Sequence, residues 1–199
     1  MKDEPDPIVY KEKKELLWEL LQLEDNGLID LFFTDETGFN LTPSIPYGWQ
    51  PIGEQISIRS SKTKALNLFG LLSRSGKLTT YSTKEYIDSD FVIECIDEIV
   101  LTIRRPTVLV MDNAPWHKSE KVYKKHREWE QKDLYIFYLP KYSPHLNLIE
   151  TLWRKIKHEW LRPRDYESVK HLRSAVFNII RNYDDEFYIN FSKNFLSDD

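Results

Sequence analysis

Residues 138–157 read YLPKYSPHLNLIETLWRKIK, and the rest of the chain is organised around them. Leu146, Ile149, Leu152, Trp153 and Ile156 recur at the three-and-four spacing of a helix with one buried face. A short strand-like run precedes that helix, with a loop punctuated by Pro140 and Pro144 between them. Glu150 lies beside the apolar row, in the first helical turn. Asn147, three residues earlier, is a good N-cap, so the plainest role for Glu150 is to close a capping box. Upstream segments argue for more, because two of them deliver an aspartate at the end of an apolar run.

Those runs are residues 28–34 (LIDLFFT), followed by Asp35, and residues 107–111 (TVLVM), followed by Asp112. Runs apolar on both faces are what the central strands of a covered sheet look like. Around them the sequence predicts a helix over 10–25, ended by Asn26-Gly27 and packed on the domain. Residues 37–55, with three prolines and three glycines, read as a loop or irregular hairpin anchored by Trp49. Two strands, 64–73 and 77–83, flank the turn Arg74-Ser75-Gly76. Helices are expected over 88–102 and 119–132, a strand over 134–139, and two C-terminal helices near 168–183 and 185–196. The order of elements suits an α/β fold, a mixed sheet with helices on both faces, whose sites gather at strand ends.

At 199 residues and 41% hydrophobic content, the chain suffices for one domain burying about 70% of its unfolded surface. It has no apolar run of membrane-spanning length and no signal-peptide pattern, so the expected location is the cytoplasm. The single cysteine, Cys95, falls in an apolar helical pattern and is expected to be a buried, unreactive thiol. A formal charge of −4 does not announce a nucleic-acid binder. Its distribution is more informative, with basic clusters over 118–127 and 154–173 flanking the suspected site.

If the strands before Asp35 and Asp112 are neighbours, both carboxylates emerge at one place, within reach of Glu150. Three such charges would repel one another by a few kcal/mol per pair at an effective dielectric of about 20 and a separation of about 4 Å, and so need a cation. All-oxygen ligands favour Mg²⁺ or Mn²⁺ over zinc. Two such ions, about 3.5–4 Å apart, would serve in-line phosphoryl transfer on a nucleic-acid backbone.

FTDETGF, LVMDNAPWH and LPKYSPHLNLIETLWRKIK, in that order, closely resemble the three signatures of the DDE transposase domain of the mariner superfamily, in its bacterial insertion-sequence branch. The resemblance covers residues 28–160. It implies an RNase H-like fold in which Asp35, Asp112 and Glu150 are the catalytic, metal-binding triad. It further implies Mg²⁺-dependent (or Mn²⁺-dependent) cleavage at transposon ends and strand transfer into target DNA, usually at a TA dinucleotide. The spacing 150 − 112 = 38 fits the family. Leu148 departs from it, standing where the family commonly has proline, and still permits a helix start.

Other residues carry lesser roles. Glu36, next on the strand, should point away from Asp35. Asn113 and His117 are candidates for orienting water or phosphate, Lys155 and Lys157 for meeting the DNA backbone, and Asn147 for supporting the site or binding DNA. Trp153 and Trp160 read as core, Tyr142 and Ser143 as loop structure. The family normally carries N-terminal helix-turn-helix domains, and none is expected within residues 1–27, a helical linker before a catalytic domain over 28–199. The chain then resembles one frame of a split element that needs a frameshift-fused or separately encoded DNA-binding part, or a truncated copy. Pairing into a homodimer is left open. The alternatives are a stand-alone RNase H-like nuclease and an inactive transposase remnant.

Overall fold

The computed structural model describes residues 5–44, 52–53, 61–113 and 120–191. Helix α1 (Pro7–Asp25) leads into strand β1 (Asp30–Asn40), the antiparallel pair β2 (Lys64–Leu72) and β3 (Leu78–Thr83), and helix α2 (Ser89–Val100). Strand β4 (Thr107–Met111), helix α3 (Glu120–Glu130), strand β5 (Leu134–Tyr138) and helices α4 (Leu148–Lys155) and α5 (Val169–Arg181) complete it. The five strands form one sheet in the order β3-β2-β1-β4-β5. The β3-β2-β1 ladder is antiparallel, and β4 and β5 are added in parallel through helical crossovers.

Side-chain alternation divides the sheet into two apolar faces. On one, Leu31, Phe33, Leu68, Val108 and Val110 meet Leu17 and Leu21 of α1, Ile149, Leu152, Trp153 and Ile156 around α4, and Leu172 and Val176 of α5. On the other, Phe69, Leu71, Leu109 and Met111 meet Val92, Cys95, Ile96 and Ile99 of α2, and Val122 and Trp129 of α3. Burial pushes the Cys95 thiol up to about 12, in keeping with an inert thiol. The strand-and-helix order read from the sequence therefore holds, with helices on both faces.

Three expectations are corrected. β1 does not stop before Asp35: it runs on to Asn40, since Phe33 to Asn40 pair with β2 while only Asp30 to Phe33 pair with β4. Asp35 is thus inside a long strand, at the point where its parallel neighbour leaves. Threonine, glycine and asparagine at 37, 38 and 40 had read as loop, but cross-strand pairing with the apolar β2 outweighs that weak local preference. Residues 185–191 are not helical, while 192–196 of the helix expected there lie outside the described residues. The backbone turns instead at Asp184, whose φ is 72°, and its amide donates to Phe187 O at 2.8 Å. The third correction concerns Asn147, whose side chain does not cap α4. Trp49 also falls outside the described residues.

Candidate active site

In the β1–β4 ladder, Phe33 lies opposite Val110. Asp35 comes two residues further along β1, on the α4 side of the sheet by alternation with Phe33, and Asp112 follows Met111, the last residue of β4, close enough for its charge to act on Asp35 and Glu150. Glu150 arrives from the first turn of α4, which the buried side chains Ile149, Leu152 and Trp153 hold against this face. The three acids named from the sequence are therefore brought to one corner, each by a different element.

Their electrostatics show the crowding. Burial, then the charge of Glu150, then those of Glu36 and Asp112 push the Asp35 carboxyl up to about 8. Glu150 stands at the solvent edge, and its pKa is also raised, by partial burial and by Asp112, against the lowering influence of Lys157. Lys157 belongs to this corner as well. It lies in a π-helical turn, Ile156–Trp160, that continues α4, with Nζ 5.5 Å from the centre of the Phe39 ring. Burial lowers its pKa, and the charges of Asp35 and Glu150 oppose that. Glu36 points to the opposite side by strand alternation, as expected, yet its charge still reaches Asp35.

Asn147 is 3% exposed, and its Nδ2 donates to Thr34 O at 3.0 Å. It thus ties the start of α4 to the residue before Asp35. Thr34, 1% exposed, donates through Oγ1 to Val110 O at 3.2 Å, which links β1 to the strand that carries Asp112. Sequence reading missed Thr34 altogether. A cavity of about 330 Å³ opens beside Asp112 and Glu150, with Asn113, Asn147 and Tyr142 in its wall. Tyr142, read as loop, takes a left-handed backbone with φ 57° on the rim.

The remaining candidates divide. Lys155 is held by Glu159 one turn on, at 2.6 Å. His117 lies outside the described residues. Within the first basic cluster, Lys121 pairs with Asp90, Lys124 with Glu120, and Lys125 with Asp97 and Glu128. α3 and α4 pack on opposite faces of the sheet, so the two basic clusters do not share a side.

The site's donors are carboxylate oxygens, the chemistry of a hard divalent cation; burial first and then repulsion by the neighbouring acids raise Asp35, and such a cation would relieve that repulsion. Among the described residues, no three His, Cys, Asp or Glu side chains are grouped closely enough to hold an ion as they stand. The donor set and its charge fit a metal, and a finished cage is not formed. No helix among the described residues is long and apolar enough to cross a membrane.

Comparison with known proteins agrees with this architecture. The insertion element IS630 uncharacterized 39 kDa protein of Shigella sonnei is 28% identical over 152 residues, 73% of this chain and 43% of that protein. The Mos1 transposase paired-end complex with left transposon end superposes with a TM-score of 0.61 at 15% identity, over 94% of this chain and 59% of that one. The catalytic domain of Mos1 mariner transposase superposes with a TM-score of 0.57 at 14% identity, over 94% and 88%. At such identities the likeness is one of fold, and that fold is RNase H-like. The DDE superfamily endonuclease family matches residues 30–173, all five strands and helices α2 to α4 with part of α5, and the chain belongs to that family.

Proposed function

We propose that this domain is the catalytic part of an insertion-sequence transposase, cutting DNA strands at transposon ends and joining the freed 3′-hydroxyl to target DNA. The observation that carries the reading is the convergence of Asp35, within β1, and Asp112, directly after the end of the adjacent parallel strand β4, on a corner where the charges of both act with that of Glu150. Asp35, Asp112 and Glu150 would hold Mg²⁺ or Mn²⁺, two ions in this reading. Such ions activate a water or hydroxyl nucleophile and stabilise the leaving oxygen of a phosphodiester. Solved Mos1 paired-end complexes with Mn and with Mg support that choice.

The chain's own part is to hold charge and exclude freedom. The three carboxylates would hold the cations that orient the reacting phosphate. Lys157, half-buried beside them, supplies positive charge where a DNA phosphate approaches. The α4 side of the sheet is the face on which we place the DNA, since the lysines of α3 that pair with acids lie on the other. The chain spans 43% of the length of the Shigella sonnei relative, and we assign recognition of transposon ends, choice of a TA target and pairing of two copies to the larger assembly, acting in the cytoplasm on bacterial DNA.

The test is Mn²⁺ binding and Mn²⁺-dependent nicking of duplex DNA by the wild type, Asp112→Asn and Glu150→Gln, each shown by thermal melt to be folded. Loss of both properties in both variants is expected. Unchanged binding in the variants would return Glu150 to a helix-terminus role. Nicking without any joining of a 3′-end to a second duplex would favour the stand-alone nuclease.

A further inference from the structure

Thr34 is bonded to both elements that bring the other two acids to Asp35. Its carbonyl accepts from Asn147 Nδ2, three residues before Glu150, and its Oγ1 donates to Val110 O, two residues before Asp112. Each bond is buried and joins residues remote in sequence, 113 and 76 positions apart. No side chain of the triad takes part in either.

Asn147 shows that this connection is not a by-product of packing. A carbonyl can only accept, so the atom facing Thr34 O is the amide nitrogen, and Oδ1 is the atom left over. Oδ1 is buried and without a partner among the described residues. A buried acceptor without a donor opposes folding. Nor does the side chain cap α4, the usual reason for asparagine at a helix start. Among the described residues the Asn147 side chain therefore makes one bond, to Thr34 O, and carries an orphaned oxygen with it. Local choices that work against stability are expected where function demands a fixed geometry.

We propose that Thr34 and Asn147 are positioning residues, a brace that sets the spacing of Asp35, Asp112 and Glu150 without touching metal or DNA. The inference rests on the metal-dependent reading of the site given above. Without the brace the carboxylates remain present but no longer converge in one geometry, so metal affinity falls more than stability does.

The experiment is Mn²⁺ titration followed by electron paramagnetic resonance, alongside thermal melts, for the wild type, Thr34→Val, Thr34→Ser, Asn147→Ala and Leu172→Ala. Leu172 is fully buried in α5 and serves as a core lesion away from the brace. Thr34→Val and Asn147→Ala are expected to bind Mn²⁺ about 10- to 100-fold more weakly. Thr34→Ser, which keeps the hydroxyl, should stay within about threefold of the wild type, and Leu172→Ala should melt earlier with wild-type affinity. Wild-type affinity in Thr34→Val and Asn147→Ala, or losses that merely track melting temperature as in Leu172→Ala, overturns the brace and leaves the metal site standing. No Mn²⁺ binding by the wild type overturns the metal site and the brace together. Should Asn147→Ala fail to fold, the Thr34→Val and Thr34→Ser pair decides.

Discussion

Gly70 lies directly opposite Asp35 in the β1–β2 ladder, and a methyl group in place of its hydrogen would stand 2.6 Å from Trp153 Cζ2. Ile149 Cδ1 would be 2.9 Å away. The bare backbone at residue 70 is what allows α4 to seat its indole on the sheet and carry Glu150 to the acids. Gly70→Ala is expected to lower stability by about 1–3 kcal/mol through overpacking. Because the displaced element is α4, Mn²⁺ affinity should fall with it. Trp153→Leu made in the same chain should recover part of both losses, a coupling that a double-mutant cycle in urea denaturation reads directly.

Asp35 gives the domain a pH dependence of definite sign. Its carboxyl titrates near 8 in the fold, against an ordinary value of 3.8. Between those values the folded state holds a proton that the unfolded state has lost, so this group's contribution to stability falls as pH rises from about 4 to 8 and then levels off. Asp35→Asn removes the term. The variant should be more stable than the wild type at pH 8.5, by a few kcal/mol, with the gap closing toward pH 4. Urea denaturation of both proteins across that range, in buffer free of divalent ions, checks it.

The charges of Lys157, Asp35 and Glu150 act on one another, at the corner where the proposed function brings a DNA phosphate. Lys157→Met keeps an unbranched apolar chain and removes the charge, and with it the contact of Nζ with the Phe39 ring. The slope of log affinity for duplex DNA against log salt should become shallower by about one, with weaker binding irrespective of sequence. Fluorescence anisotropy at several salt concentrations measures it. An unchanged slope would place Lys157 off the DNA path.

At the far end of α1, Arg74 in the β2–β3 turn donates from Nε to Glu24 at 2.6 Å and from Nη2 to Asp25 at 2.7 Å. Arg74 and Glu24 are largely shielded from water, with side chains 11% and 18% exposed, and burial raises the Glu24 pKa against the pull of Arg74. Arg74→Ala strands that carboxylate and should cost about 2–4 kcal/mol. Hydrogen exchange should quicken in α1 before the sheet, since this bond and the seats of Leu17 and Leu21 fasten the helix to the domain.

The sequence by itself determined the order of elements, the two buried runs ending near Asp35 and Asp112, and the patterned helix with Glu150 in its first turn. Each of these is a local matter of periodicity, turn residues and apolar run length. Motif resemblance added the family, and residues 30–173 matched it. A glycine within the apolar run of β2 was a readable signal of close backbone approach, although nothing local said what approached. Tertiary structure alone decided that β1 continues past Asp35, because cross-strand pairing supplied the energy for it. The fold alone also made Asn147 a tie to Thr34 in place of a helix cap, half-buried Lys157 beside the acids, and set the two basic clusters on opposite faces. Such facts depend on partners remote along the chain, 113 residues away for Asn147 and Thr34, and a residue's nearest neighbours in sequence do not specify which distant group will complete it.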